Sequence, residues 1–423
     1  MIIWLQNKLK SDYFKVYFFD MIAKLFTVII SILIIRCLTE DDYAQYTLFG
    51  SIGSFISGVL GSGIGLAYTR YAVILREKKV GMDAILYKSL RKRMVYTVLF
   101  LFMITTFVLF LTSNFTFVFS LGVVYGLTLA LYQLNVVFFQ AREKYSVGGV
   151  ISNIKNIAVA IAICIVFLIP GKIKVFPVLI IYSSAILVSW IITTCYINFL
   201  LINEKIEFNK HTNYLKTMFQ ESIWIILYMF MLSAFNQLDV LILNYTRPTS
   251  DVARYGVAYK YYANVLSLLP ALQVVLRVKN SSIEMAENPK YRIMSVIIWI
   301  KKSTPFAILL LIVGCIVAHF SFPFLNGHIY NSAILTFNIL LIGACLSYVT
   351  APNVSVMLAA RKHKLLFFLS IGSFLINFIG NIIFIPKFGA NAAAITTVMA
   401  HFFLNGGSTL ILLISDENTE VQT

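Results

Sequence analysis

Charge is scarce in this chain. Only 12% of its 423 residues are Asp, Glu, Lys or Arg, while 59% are hydrophobic. With a mean hydropathy of +0.85, that balance excludes a soluble fold of any class. Long loops are also missing, so no extramembrane domain can hold separate chemistry. A membrane glycosyltransferase or polymerase, which needs paired carboxylates or clustered arginines outside the bilayer, is excluded on that ground. No G-x-x-x-x-G-K-[ST] occurs anywhere, which excludes ATP-driven pumping by this chain alone. The five cysteines, Cys37, Cys164, Cys195, Cys315 and Cys345, are scattered without CxxC spacing and read as small apolar packing residues. The histidines lack metal-ligand spacing, so no metal site and no cofactor are expected.

What the sequence has instead is apolar runs of about 20 residues, each long enough to cross a bilayer as a helix. Twelve spans are expected, near 13–36, 44–69, 94–113, 115–139, 151–169, 176–202, 217–245, 255–278, 296–318, 332–359, 364–385 and 390–414. The polar, basic start "MIIWLQNKLKSDYFK" is followed by no small-residue cleavage pattern, so no signal peptide is expected.

The formal net charge of +16 comes from 34 Lys and Arg against 18 Asp and Glu. These basic residues segregate by loop. The outer side receives Arg36, Lys172, Lys174, Arg247, Arg254 and Lys387, Lys24 and Lys260 lie within spans, and all the others fall on inner loops. This is the positive-inside pattern, with both termini cytoplasmic. It needs no nucleic acid, because anchoring to an anionic inner leaflet accounts for it.

The chain repeats itself. "DDYAQY" from Asp41 aligns with "SDVARY" from Ser250, a shift of 209 positions that also places Lys92 and Arg93 on Lys301 and Lys302. "AREK" from Ala141 and "ARKH" from Ala360 align at a similar shift, as do the Ile-Pro pairs at 169 and 385. An all-α polytopic membrane protein follows, with two parallel six-helix bundles, 1–205 and 206–423, around a central cavity. Two such bundles rocking about a shared site give alternating access.

Several residues could carry chemistry. In "VYFFDMIAKLFTVIISILII", Asp20 and Lys24 stand one helical turn apart near the middle of the first span, where a lipid-facing charge would cost several kcal/mol. They share a face and can neutralise each other. Either they form a buried ion pair that locks helices, or Lys24 lines a hydrated cavity and awaits an anion. Asp239, beside Asn236 and Gln237, could be a structural counter-ion or a site for a coupled proton or sodium ion. Lys260 and Arg254 could receive an anion moving outward, although snorkelling to the surface is the better reading for Arg254. His401 could titrate or be satisfied by a neighbour. Asn264, Gln273, Asn377 and Asn381 add polar surface to the cavity that could bind sugar hydroxyls or hold helices together. The small residues of "GSIGSFISGVLGSGIG" recur at four-residue spacing, which is helix-packing spacing.

Longer stretches resemble a known family. "SILIIRCLTEDDYAQYTLFGSIG" looks like the first-to-second helix junction of bacterial polysaccharide exporters of the Wzx (O-antigen flippase) type, and "NFIGNIIFIPKFGANAAAITTVMAHF" resembles their penultimate-to-last junction. "FQAREKYSVGGVISN" and "LAARKHKLLFFLSIG" resemble their repeated inner-loop signature. The chain departs at Cys37-Leu38-Thr39 and at Asn391, where the pattern has glycine. The resemblance spans the whole chain and implies membership of the wider multidrug/oligosaccharidyl-lipid/polysaccharide superfamily. It implies a non-enzymatic flippase in the bacterial inner membrane that moves an undecaprenyl-diphosphate-linked oligosaccharide to the outer leaflet. The implied partners are that glycolipid, membrane lipid and a polysaccharide polymerase, with a surface glycan such as the O-antigen of lipopolysaccharide as product. A drug or metabolite antiporter of the same superfamily is the alternative, but a midplane lysine argues against a cationic substrate.

Overall fold

The computed structural model describes residues 12–78, 82–111, 117–167, 174–202, 213–266, 289–360 and 362–417. Among them the regular structure is helical: α1 (Asp12–Cys37), α2 (Glu40–Ser57), α3 (Ile64–Lys78), α4 (Met82–Leu111), α5 (Phe117–Ala141), α6 (Tyr145–Phe167) and α7 (Val175–Ile202). After these come α8 (Asn213–Thr246), α9 (Thr249–Leu266), α10 (Pro289–Asn326), α11 (Ala333–Val349), α12 (Pro352–Ala359) and α13 (His363–Glu417). Seven of the described helices are long and apolar enough to cross a membrane, and an eighth does so if the bent pair α11–α12 is one span. Large apolar side chains such as Leu99, Phe100, Phe306, Ile312 and Phe402 stand exposed on them, as a lipid-facing surface requires. The chain is a multi-pass membrane protein.

Local chemistry sets the helix ends and breaks. Thr39 caps α2, its hydroxyl accepting from the Asp42 N–H at 3.2 Å, and Glu40, Asp41 and Asp42 fill the first turn, where the helix dipole favours acids. Two of the expected spans are interrupted. The second span passes through a π-helical segment, Gly58–Gly63, before continuing as α3. The tenth breaks between α11 and α12 with a 41° bend, because Pro352 has no N–H to extend the ladder. The last two expected spans are two helices that meet at a kink at Gly389, with φ 60° and ψ −139°, and share the label α13. The eighth expected span continues past Leu266 into residues outside those described.

The chain divides into two compact units, Met1–Ser233 and Ala234–Thr423. The boundary expected at 205/206 lies outside the described residues, and the observed division falls inside α8. A packing reason is visible in the first unit. Gly58 and Gly63 let the early part of α8 approach the π segment, where an added Cβ would stand 2.2 Å from Ser233 Oγ and 3.4 Å from Met229 Cβ. In that unit α5 is central, packing against α2, α3, α4, α6 and α7, while α1 packs on α6. Gly126 of α5 brings it close to α2, where a Cβ would lie 2.8 Å from the Gly53 carbonyl oxygen. The glycine stripe is therefore packing. In the second unit α11 takes the corresponding place, against α9, α10 and α13.

Candidate functional site

Each unit has a polar core, and the two differ in kind. In the first, Asn135 of α5 accepts from the Tyr87 hydroxyl at 2.6 Å and donates to Thr193 and Thr194 of α7 at 2.8 and 2.9 Å. Nearby, Arg142 and Asp83 form a buried pair at 2.6 Å, with the guanidinium 4.5 Å from the Phe138 ring centroid. These groups satisfy one another and tie α4, α5 and α7 together.

In the second unit a lone carboxylate collects neutral donors. Asp239 is 1% exposed. Its Oδ1 accepts from Asn381 Nδ2 at 2.6 Å and from Asn377 Nδ2 at 3.0 Å. Its Oδ2 accepts from Thr397 Oγ1 at 2.5 Å and from the Tyr255 hydroxyl. Asn377 and Asn381 lie one turn apart before Gly389, and Thr397 lies after it. The hydrogen bonds between Asn377 and Thr397, between Asn381 and Thr396, and from Ser373 to the Ala400 carbonyl show that the chain reverses at Gly389 into an antiparallel pair. Gly380 makes that approach possible, since a Cβ there would stand 2.7 Å from Thr396 Cγ2.

The cluster can exist in more than one hydrogen-bond state. Thr397 has one proton for two acceptors, Asp239 and the Ala393 carbonyl at 2.8 Å. If its hydroxyl turns to Ala393, its oxygen can accept a proton held on Asp239 or face a cation. Turning either asparagine amide would present a carbonyl oxygen in place of N–H groups. Carboxylate, hydroxyl and amide oxygens are the ligand set hard monovalent and divalent cations use, so these residues fit either a proton or a sodium ion.

The other expected residues fall elsewhere. Lys24 is half-buried on α1, in the first unit, and the side chain of Asp20 lies outside the described residues. Lys260 and Asn264, both half-buried, share one face of α9 at i, i+4, whereas Arg254, six residues before Lys260, points about 120° away. Arg254 is engaged near the N-terminal end of the helix, 3.5 Å from Asp251. Asp251 also takes Arg247 at 2.6 Å, and Arg247 reaches the Pro386 carbonyl at 3.2 Å. Lys260 and Asn264 thus share a face of α9 from which Arg254 is turned away. His401 is satisfied by a neighbour, its Nε2 2.9 Å from the Tyr262 hydroxyl. Gln273 lies outside the described residues. Tyr255, Thr396 and Thr397 were not site candidates from sequence, although Tyr255 closes the repeated "SDVARY" and the threonines lie in the junction "NFIGNIIFIPKFGANAAAITTVMAHF".

A family model described as polysaccharide biosynthesis protein matches residues 14–276, more than half of the chain. The chain belongs to the polysaccharide biosynthesis protein family. Among curated proteins none matches the sequence. Solved structures show the fold this family member has. The lipid II flippase MurJ, in an inward closed conformation, superposes with a TM-score of 0.72 at 14% identity, over 95% of this chain and 87% of that one. An inward-facing multidrug resistance MATE family transporter of the MOP superfamily gives 0.66 at 12% identity, over 98% and 100%. The Vibrio cholerae MATE transporter VcmN gives 0.66 at 14%, over 97% and 98%. The sequence model shows the family, and these structures show that its fold is one also found in flippases and transporters.

Proposed function

We propose that this protein flips an undecaprenyl-diphosphate-linked oligosaccharide repeat unit from the cytoplasmic to the outer leaflet of a bacterial inner membrane, by alternating access. The observation that carries this reading is the polysaccharide biosynthesis family match over residues 14–276. Physical chemistry supplies the rest. A polyprenyl tail is at home in lipid, but a diphosphate and its sugars are not, so the protein must offer a polar path for the head alone. Lys24, half-buried within an apolar helix, is the cation this reading assigns to the diphosphate. Asp239, with its ring of neutral donors, is assigned the coupling cation, a proton or sodium. The glycan, an O-antigen unit of lipopolysaccharide or another surface polymer, then passes to a polymerase.

The buried carboxylate of Asp239 favours a second reading, a drug or metabolite antiporter, because exporters of organic cations need such groups. One experiment separates the two. Thermal shift of the purified protein is measured with a polyprenyl-diphosphate glycolipid and with a lipophilic cation, for the native chain and for Lys24→Ala. Stabilisation by the glycolipid alone, lost in a folded Lys24→Ala variant, is expected. Stabilisation by the cation alone would move the antiporter reading ahead, and a glycolipid effect indifferent to Lys24 would return that lysine to a packing role.

A further inference from the structure

On the first unit, α4 and the start of α8 enclose a cleft of about 330 Å³ with a polar rim of Ser89, Lys92, Arg93 and Tyr214 above Leu86 and Leu215. That volume is at the lower end of the roughly 300–1,000 Å³ of small-ligand clefts. Ser89, Lys92, Arg93 and Tyr96 recur at i, i+3, i+4 and i+7, so α4 turns one face of two cations, a hydroxyl and an aromatic ring toward it. The Lys92 ammonium sits 5.9 Å from the Tyr96 ring centroid. Directly beyond this ring the helix meets lipid. Tyr96, Phe100 and Met103 are each 59% exposed and Leu99 52%. The cleft therefore lies where the charged end of α4 gives way to its apolar belt, at headgroup depth, and the positive-inside pattern puts it on the cytoplasmic leaflet.

The geometry points to a resident site for an anionic phospholipid, with its phosphate between Lys92 and Arg93, its glycerol oxygens near Ser89 and Tyr214, and its acyl chains along Tyr96, Leu99 and Met103. Basic pockets between membrane helices hold anionic headgroups for the same reason. A phospholipid fits better than a soluble anion, because a soluble anion would leave the apolar track below the cations unused. The internal repeat supplies a contrast. Lys301 and Lys302 occupy the corresponding place on α10 and are both exposed, but Ile298 and Pro305 stand where Ser89 and Tyr96 stand. That second pair lacks the hydroxyl and the aromatic ring that flank Lys92 and Arg93. A lipid in the first site would hold the entry of α8 against α4.

Native mass spectrometry of the full chain in detergent tests this, with cardiolipin and phosphatidylglycerol against phosphatidylethanolamine as probes. Retention of the anionic lipids is expected, falling by about five-fold or more in Lys92→Gln/Arg93→Gln and unchanged in Lys301→Gln/Lys302→Gln. Tyr96→Leu, which keeps both charges, is expected to weaken retention as well, and it keeps the test open if the double variant does not fold. Equal loss in the two double variants, or no preference for anionic lipid, would overturn the site. Displacement by inorganic phosphate would make it a soluble-anion site, and displacement by equimolar undecaprenyl diphosphate would give it to the transported lipid. Either result overturns the phospholipid assignment.

Discussion

Asp239 is surrounded by four neutral donors, two on each carboxylate oxygen. A carboxylate so deeply buried is expensive without compensation, and hydrogen bonds to a charged group are worth about 1.5–3 kcal/mol each. Tyr255→Phe should therefore destabilise the protein by roughly 1.5–3 kcal/mol, read as a lower Tm, while leaving any cation response in place. Asp239→Asn removes the charge and keeps the shape. If the cluster takes sodium, the native chain gains stability when sodium replaces potassium, by about 2.7 kcal/mol at a hundred times Kd, and Asp239→Asn does not. A proton site shows instead a pH dependence of Tm that Asp239→Asn abolishes. A native chain indifferent to both would make Asp239 a structural residue. The acid and the two asparagines stood out in sequence because each interrupts an apolar run. Tyr255 and the threonines did not, since both residue types are common in spans: the reversal at Gly389 brings the threonines to Asp239, and the packing of α9 brings Tyr255. Arg254 is the opposite case. Its partner Asp251 is three residues away, but sequence alone did not show that Asp251 also takes Arg247, which reaches the Pro386 carbonyl.

Helices are where the sequence was most legible, because a run of about 20 apolar residues has few other fates. Their irregularities were less so. The π segment lies in a glycine series whose four-residue spacing reads as regular helix, and its close neighbours Gln133 and Ser233 are ones no local pattern reveals. The division inside α8 is likewise a matter of packing partners. Gly389 offers a test of how much one residue fixes an element. Its positive φ is one L side chains rarely adopt, and a Cβ would lie 2.7 Å from Asp251 Oδ2 and 3.4 Å from Arg247 Nε. Gly389→Ala should cost at least about 1–3 kcal/mol of backbone strain and disturb the Arg247–Asp251 pair. Gly50, inside α2, has nothing within 4 Å of its Cβ position, so Gly50→Ala should stabilise by about 0.5–1 kcal/mol. The two changes are chemically identical, and thermal unfolding should give them opposite signs. Equal effects would mean that the turn tolerates an L residue and that α13 reverses for another reason.

Across the whole molecule the two units repeat one packing plan, α5 and α11 each central among neighbours in corresponding places, yet only the second carries the Asp239 cluster. Of its members, Asp239 itself aligns with Ile30 at the repeat shift of 209, an apolar residue where no ion could be held. A duplicated scaffold has thus kept one half apolar at the place where the other is polar, which is what a transporter needs if one unit handles the ion and binding of the larger substrate begins elsewhere. The proposed flippase reading, with a diphosphate head and a cation at Asp239, makes a definite electrical prediction. A diphosphate head carrying about two negative charges and moving outward gains about 4.6 kcal/mol from a 100 mV inside-negative potential, at ~2.3 kcal/mol per charge. A cation moving inward through the Asp239 cluster adds ~2.3 kcal/mol more. In proteoliposomes with an imposed potassium-diffusion potential, glycolipid should reach the outer leaflet faster with the interior negative and slower with it positive. Asp239→Asn should lower the sensitivity to potential as well as the rate, because it removes the cation from the cycle. Flipping that ignores the sign of the potential would mean that the moving head and its counter-ions cross as a neutral set, and would remove the membrane potential from the mechanism.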